Sequence, residues 1–185
     1  ATAAMILDIP IIHLHGGELS GGSIDDIFRH AITKMSTWHL AATETYRKRL
    51  IQLGEEPKRV WNVGGFGIDA VIDLKPYKQT EIEEKLNLKF GQKNYLITYH
   101  PETMSNASPI KQIEEILSAL RKTDATLIFT MPNADANSTL IRDNIKKFAE
   151  ANSEVAYVFE NLGQRMYLSV MRLVDAVIGN SSSGL

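Results

Sequence analysis

Glu18, Asp25, Asp26, Arg29 and His30 lie close together in the chain, and Asp25 with Arg29 and Asp26 with His30 are i, i+4 pairs. On a helix beginning near Ser23 that spacing sets acid, base and cation on one polar face beside Glu18. Such a face can move a proton and hold a phosphate. It also suits a plain helix start, because carboxylates in a first turn complement the helix dipole. Upstream, His13 and His15 share one strand face, the start of a metal site. Two histidines supply only two of the three or four ligands a zinc ion needs, and the chain has no cysteine to complete the set. No metal is therefore expected. Gly16-Gly17 and Gly21-Gly22 allow close backbone approach, but no Gly-Lys-Ser/Thr follows, so this is not a Walker A loop.

Further along, His100 precedes Pro101 at a strand end, where it can donate to a phosphate or serve as an ordinary polar residue. Ser181-Ser182-Ser183-Gly184 follows a strand and should open a helix, whose N-terminal N–H groups and hydroxyls can take a phosphate. The plainer reading of that run is a serine-rich capping turn.

These residues need elements to position them, and the apolar pattern supplies βα units around parallel sheets. Strands are expected at 11–14, 38–41, 60–63, 95–100, 126–130, 155–159 and 175–178. Between them, Ile24, Phe28, Ala31 and Met35, with Ile27 and Ile32, predict a helix with a buried stripe. Further helices are predicted at 44–53 (stopped by Gly54), 68–74, 81–88 and 164–172. Ser108-Pro109 reads as an N-cap with proline at the first helical position, and Ile110, Ile113, Leu117 and Leu120 as that helix's buried stripe. Leu140, Ile141, Ile145 and Phe148 mark one more helix. The candidate residues collect at strand carboxyl ends, where open parallel sheets bind ligands. The fold class is α/β, with parts of two Rossmann-like sheets: 1–74 in a first domain, 75–92 as a polar connection, and 93–185 in a second domain.

The composition narrows the function. Twenty Lys and Arg against 22 Asp and Glu leave a net charge of −2, which gives no electrostatic reason for a nucleic-acid or membrane partner. With no cysteine, disulfide scaffolds, iron–sulfur clusters and cysteine nucleophiles are excluded, and a reducing cytoplasm is the compartment that suits such a chain. The longest apolar stretches fall far short of the ~18 residues of a membrane helix. The first residues lack a basic segment and carry Asp8, unlike a secretory signal. Ala1 to Leu7 reads as the second half of a helix, and Gly179 to Leu185 as a strand entering a helix, so a fragment of a longer protein is expected.

Taken together, several blocks resemble the hydrolysing UDP-N-acetylglucosamine 2-epimerases of bacterial sialic acid synthesis and relatives acting on UDP-diacetylbacillosamine. They are His13-Leu14-His15-Gly16-Gly17-Glu18, Ile24-Asp25-Asp26, Arg29 to Ser36, Ala42-Thr43-Glu44, Val63-Gly64, Gly67-Ile68-Asp69, Tyr99-His100-Pro101, Pro132-Asn133-Ala134-Asp135 and Gly179 to Gly184. The resemblance implies a GT-B fold with the nucleotide sugar in a cleft between domains. It implies loss of UDP across C1–C2 to a glycal, then water addition giving the free 2-epimer, N-acetylmannosamine from UDP-N-acetylglucosamine. Glu18 and Asp25, with Asp26 as a further candidate, match the carboxylates that take and return the C2 proton, and Arg29 matches a residue near the phosphates or acids. His100, Asn133, Ser181 and Ser182, with Gly184 in the same turn, match the positions that hold UDP. His15 stands where animal and non-hydrolysing relatives carry glutamate, which favours the hydrolysing branch. A homo-oligomer, dimer or tetramer, is also implied. The family's Gly-Asp motif would precede Ala1 and its Arg-Glu pair would follow Leu185, so this polypeptide alone is not expected to turn over.

Overall fold

Short β-rich runs followed by helical repeats can bury both faces of a strand only if crossover helices return over a parallel sheet. The computed structural model, which describes residues 1–21, 23–100, 108–132 and 138–181, shows that arrangement twice. The chain divides at Asp73 and Leu74 into two units.

The first unit runs α1 (Thr2–Ile6), β1 (Ile12–Leu14), α2 (Asp25–Met35), β2 (Trp38–Ala41), α3 (Glu44–Gln52), β3 (Val60–Asn62) and α4 (Ile68–Ile72). Its strands form a parallel sheet ordered β1-β2-β3, with His13 opposite His39 and His39 opposite Val60. The Thr43 hydroxyl accepts from the Tyr46 backbone N–H and caps α3. Ala41, Leu50 and Val60 form its small core.

The apolar stripe expected to be buried on α2 is not. Ile24, Ile27 and Phe28 are exposed, and the one buried residue of the helix is Thr33. The face that α2 turns inward is polar, carrying Asp26, Arg29 and Thr33. The helix also begins at Asp25, two residues later than expected, after a turn closed by Ser23 N–H to Ser20 O.

The second unit runs α5 (Gln79–Leu86), β4 (Asn94–Thr98), α6 (Pro109–Leu120), β5 (Thr126–Thr130), α7 (Ser138–Ala151), β6 (Ala156–Phe159), α8 (Gly163–Met171) and β7 (Ala176–Gly179). The sheet is parallel and ordered β6-β5-β4-β7. Every residue of β5 is buried, as a strand covered on both faces requires. Ile113, Leu117 and Leu120 of α6 meet Ile141, Ile145 and Phe148 of α7 over one face, while Ile82 of α5 and Met166 and Val170 of α8 cover the other. Pro109 does open α6, but the Ser108 side chain makes no cap bond. Among the described residues no helix is long and apolar enough to cross a membrane.

Candidate active site

At the carboxyl end of β1 the chain must turn sharply to reach α2, and the backbone does so through two left-handed residues, His15 at φ 61° and Gly17 at φ 80°. A non-glycine residue in that region is strained. His15 is held there by its N–H donating to Leu40 O of β2 at 3.2 Å. The turn swings its imidazole against the Glu18 carboxylate, with Nδ1 2.7 Å from Oε1, and lays the ring on Phe66 at 4.6 Å between centroids. Arg49 of α3 donates to the Gly17 carbonyl and ties the turn to the next helix.

Arg29 is the hub of the site. Its guanidinium donates to Asp26 Oδ1 at 3.1 Å, to the Ser20 hydroxyl at 3.0 Å and to the Glu18 carbonyl at 3.3 Å. The Ser20 N–H donates to the same Asp26 oxygen at 2.9 Å. Glu18, Asp26 and Arg29 are thus joined in one network. The expected Asp25–Arg29 and Asp26–His30 pairings are corrected: Arg29 reaches Asp26 at i, i+3 instead. Asp25 sits at the exposed start of α2, where its carboxylate accepts from the Ser23 hydroxyl at 2.8 Å. Asp25 is left out of the ion pair because the turn at Ser20–Ser23 brings Asp26, one residue on, to the inward face.

Behind this network lies a buried polar spine. Thr33, wholly buried, donates to the Arg29 carbonyl at 3.0 Å, so its lone pair faces His13 Nδ1–H at 3.2 Å. His39 lies edge-on to His13, with ring centroids 6.2 Å apart. His39 Nε2 meets Glu55 Oε2 at 3.1 Å, and Glu55 is paired with Lys34 at 2.6 Å. Burial, helped by His39, Arg29 and His15, lowers the His13 pKa from 6.5 to about 4. Burial also lowers that of His39, against the pull of Glu55, with Lys34 adding to the fall.

Both rings are therefore neutral in the fold and take up protons more readily when the chain unfolds. Between pH ~6.5 and ~4 the unfolded state binds more protons, so stability rises with pH across that window. At ~1.4 kcal/mol for each pH unit, His13 alone is worth up to about 3 kcal/mol. The melting temperature should fall as pH drops from 7 to 4.5, and His13→Asn should flatten that fall. An unchanged slope in His13→Asn would mean that this imidazole titrates alike in both states. Among the described residues no group of three or more His, Cys, Asp or Glu is placed to hold a metal.

In the second unit a cavity of about 630 Å³ opens at the carboxyl ends of β4, β5, β6 and β7. Thr98, His100, Thr130, Glu160, Gln164, Tyr167 and Ser181 are among the residues lining it. Two residues expected from the sequence, His100 and Ser181, therefore meet here. Asn133, Ser182 and Gly184 lie outside the described residues. His100 is placed by Asn180: its N–H donates to Asn180 Oδ1 at 2.8 Å, and Asn180 Nδ2 donates to its carbonyl at 2.9 Å. Hydroxyls, an imidazole and amides line this pocket together with Met131, Pro132 and Leu162 at the open ends of parallel strands, and its volume is in the range of small-molecule sites.

Sequence reading missed Ser20, Phe66, Thr98, Thr130, Asn180 and Tyr167. Asn180 stands inside a motif singled out for its serines, and the other five carry no spacing that would mark them.

These features define an α/β chain of GT-B type, with parallel sheets that carry polar clusters at their carboxyl ends. The chain belongs to the UDP-N-acetylglucosamine 2-epimerase family, whose model matches residues 1–185. It is 43% identical over its whole length to the GDP/UDP-N,N'-diacetylbacillosamine 2-epimerase (hydrolyzing) of Campylobacter jejuni, of which it covers 48%. It is 40% identical to the polysialic acid biosynthesis protein P7 of Escherichia coli, again over the whole chain and 47% of the relative. The chain thus spans about half the length of these curated relatives. Among solved structures, UDP-GlcNAc 2-epimerase from Neisseria meningitidis bound to UDP-GlcNAc shares the fold at a TM-score of 0.76 and 20% identity, covering 98% of this chain and 50% of that one.

Proposed function

We propose that the full-length protein is a hydrolysing 2-epimerase of UDP-2-acetamido sugars. The observation that carries the reading is the Glu18–His15 pair set beside the Asp26–Arg29 network at one strand end. A C2–H of low acidity needs a positioned base, and a departing diphosphate needs cations and N–H donors. Glu18, with Asp25 or Asp26, serves the removal and return of the C2 proton. Arg29 offsets the charge that develops as UDP leaves. His100, Asn133, Ser181, Ser182 and Gly184 hold the UDP moiety. No metal or redox cofactor takes part in this scheme. The protein works in the cytoplasm as a homo-oligomer.

For the sugar, UDP-N-acetylglucosamine yielding N-acetylmannosamine for sialic acid-type synthesis is the first reading, supported by the likeness to the polysialic acid protein. The second is UDP-diacetylbacillosamine, supported by the 43% identity to an epimerase named for it. Turnover of both UDP-sugars in ¹⁸O-water separates the possibilities. Free 2-epimer labelled at C1, with UDP released, is the expected product. An unlabelled UDP-linked epimer would mark a non-hydrolysing enzyme, and UDP binding without turnover a binding module.

His100→Ala and Ser182→Ala should each weaken UDP binding by ~1–3 kcal/mol, the worth of a hydrogen bond to a charged group. Calorimetry that finds UDP affinity unchanged in both variants would place the nucleotide elsewhere.

A further inference from the structure

The strained His15 does more than neighbour Glu18. Its backbone is fixed in the left-handed region at φ 61° and bonded to β2 through its N–H. Its Nδ1 is taken up by Glu18 at 2.7 Å, and its ring packs against Phe66 at 4.6 Å between centroids, tilted by 55°. Half of the side chain remains exposed, and among the described residues Nε2 has no partner. A carboxylate that orients one ring nitrogen while the other looks outward is the arrangement of an imidazole proton carrier and its orienting acid.

We propose that the proton-transferring atom of this pair is His15 Nε2, with Glu18 as the positioning carboxylate and Phe66 as the wall that fixes the ring. This deepens, and rests on, the reading of the protein as a UDP-sugar 2-epimerase. In the neutral imidazole Nδ1–H donates to Glu18, so the lone pair sits on Nε2. That lone pair takes the C2 proton as the C1–O bond to UDP breaks, and the C–H electron pair becomes the C1=C2 bond. Glu18 then faces an imidazolium, which releases its proton to bulk water. Inversion at C2 requires that the returning proton come from a second group, an α2 carboxylate. That carboxylate is reprotonated by the water whose hydroxide adds to C1. The sum is UDP-sugar plus water giving UDP plus the free 2-epimer.

Phe66 sits in Val63-Gly64-Gly65-Phe66-Gly67, flanked by glycines, and its ring is 4.6 Å from that of His15 between centroids. This gives Phe66 a role that its sequence context does not announce.

The strain at His15 supplies the test, made in the full-length protein. Glycine accepts φ 61° without cost, so His15→Gly keeps the turn and leaves a ring-shaped space between Glu18 and Phe66. We expect kcat to fall by ~10² or more, with UDP affinity unchanged. Added imidazole should restore turnover at least ~10-fold, and that rescue should vanish when Phe66→Ala is combined with His15→Gly. His15→Asn is the companion variant. Asparagine tolerates the left-handed region, and its amide nitrogen can occupy the place of Nδ1 on Glu18, but it carries no base. It should be as slow as His15→Gly and should not respond to imidazole. Wild-type turnover in His15→Asn would show that Glu18 is itself the base, and failure of imidazole to rescue folded His15→Gly would reduce His15 to a structural residue. Either result overturns the proposal. If the wild-type protein releases no UDP from any UDP-2-acetamido sugar, the epimerase reading itself fails, a separate outcome.

Discussion

Asp25→Asn in the full-length protein should lower kcat by at least ~10²-fold, as expected for a displaced proton-transfer group, while UDP affinity hardly moves. Asp25 opens α2, is exposed, and makes no ion pair with Arg29. Its carboxylate accepts one hydroxyl bond from Ser23 at 2.8 Å, and its own N–H meets the Ser23 oxygen at 3.2 Å. Asparagine can keep both contacts, so the helix start survives the change and the loss is chemical. A carboxylate that served only the helix dipole would contribute ~0.3–1 kcal/mol to stability and nothing to turnover. The two roles separate cleanly: wild-type kcat with a slightly lower melting temperature would assign Asp25 to the dipole.

Gly17→Ala should be the most damaging single-methyl change in the first unit. At φ 80° a side chain is strained by ~1–2 kcal/mol, and a Cβ at this position would lie 2.4 Å from the Tyr46 carbonyl oxygen, which is backbone and cannot rotate away. Relief requires the whole β1–α2 turn to move, adding ~1–3 kcal/mol of overpacking and drawing Glu18 and the Arg49 contact with it. Gly64→Ala is the control, since Gly64 has φ 83° but nothing within 4 Å of the added Cβ. Urea unfolding should place Gly17→Ala well below Gly64→Ala, with turnover lost in the former. Equal midpoints would show that the turn yields freely and that the close approach carries no energy.

How far the sequence carries one toward this site depends on what kind of signal each residue gives. β5 was legible to the residue because Leu127-Ile128-Phe129 is an apolar run flanked by the β-branched Thr126 and Thr130, and the α3 stop at Gly54 because its φ of 94° asks for glycine. The α2 stripe misled. Ile24, Ile27 and Phe28 have the spacing of a core face, yet the inward face is the one carrying Arg29 and Thr33. Periodicity locates an apolar face without saying whether these residues or others cover it. The i, i+4 rule likewise set Asp25 against Arg29, whereas the observed pair is Asp26 with Arg29, because i, i+3 is an equal neighbour on a helix and the turn before Asp25 decided between them. Contacts such as Phe66 on His15 and Asn180 around His100 join loops far apart in sequence, and no local pattern encodes them.

From the strand order β6-β5-β4-β7 we expect a sequence of events in folding. Asn94 and Asp175, 81 residues apart, close the β4–β7 ladder through Asn94 N–H to the Asp175 carboxylate at 2.7 Å and Asp175 N–H to the Asn94 carbonyl at 2.8 Å. The chain entropy of closing a loop grows with its length, so distant pairings form late. The β4–β5 and β5–β6 pairings are each made by neighbours in the chain, whereas β7 pairs with the distant β4 and is expected to join late. Amides of β7 should therefore gain protection after those of β4 and β5 in a pulsed hydrogen-exchange refolding experiment, and simultaneous protection would contradict this order. Asn180, which grips His100, and Ser181 sit immediately beyond β7. A chain arrested before that last docking would bury most of its hydrophobic interior and still lack one wall of the cavity, so folding yield and ligand-binding yield are separate quantities in this unit.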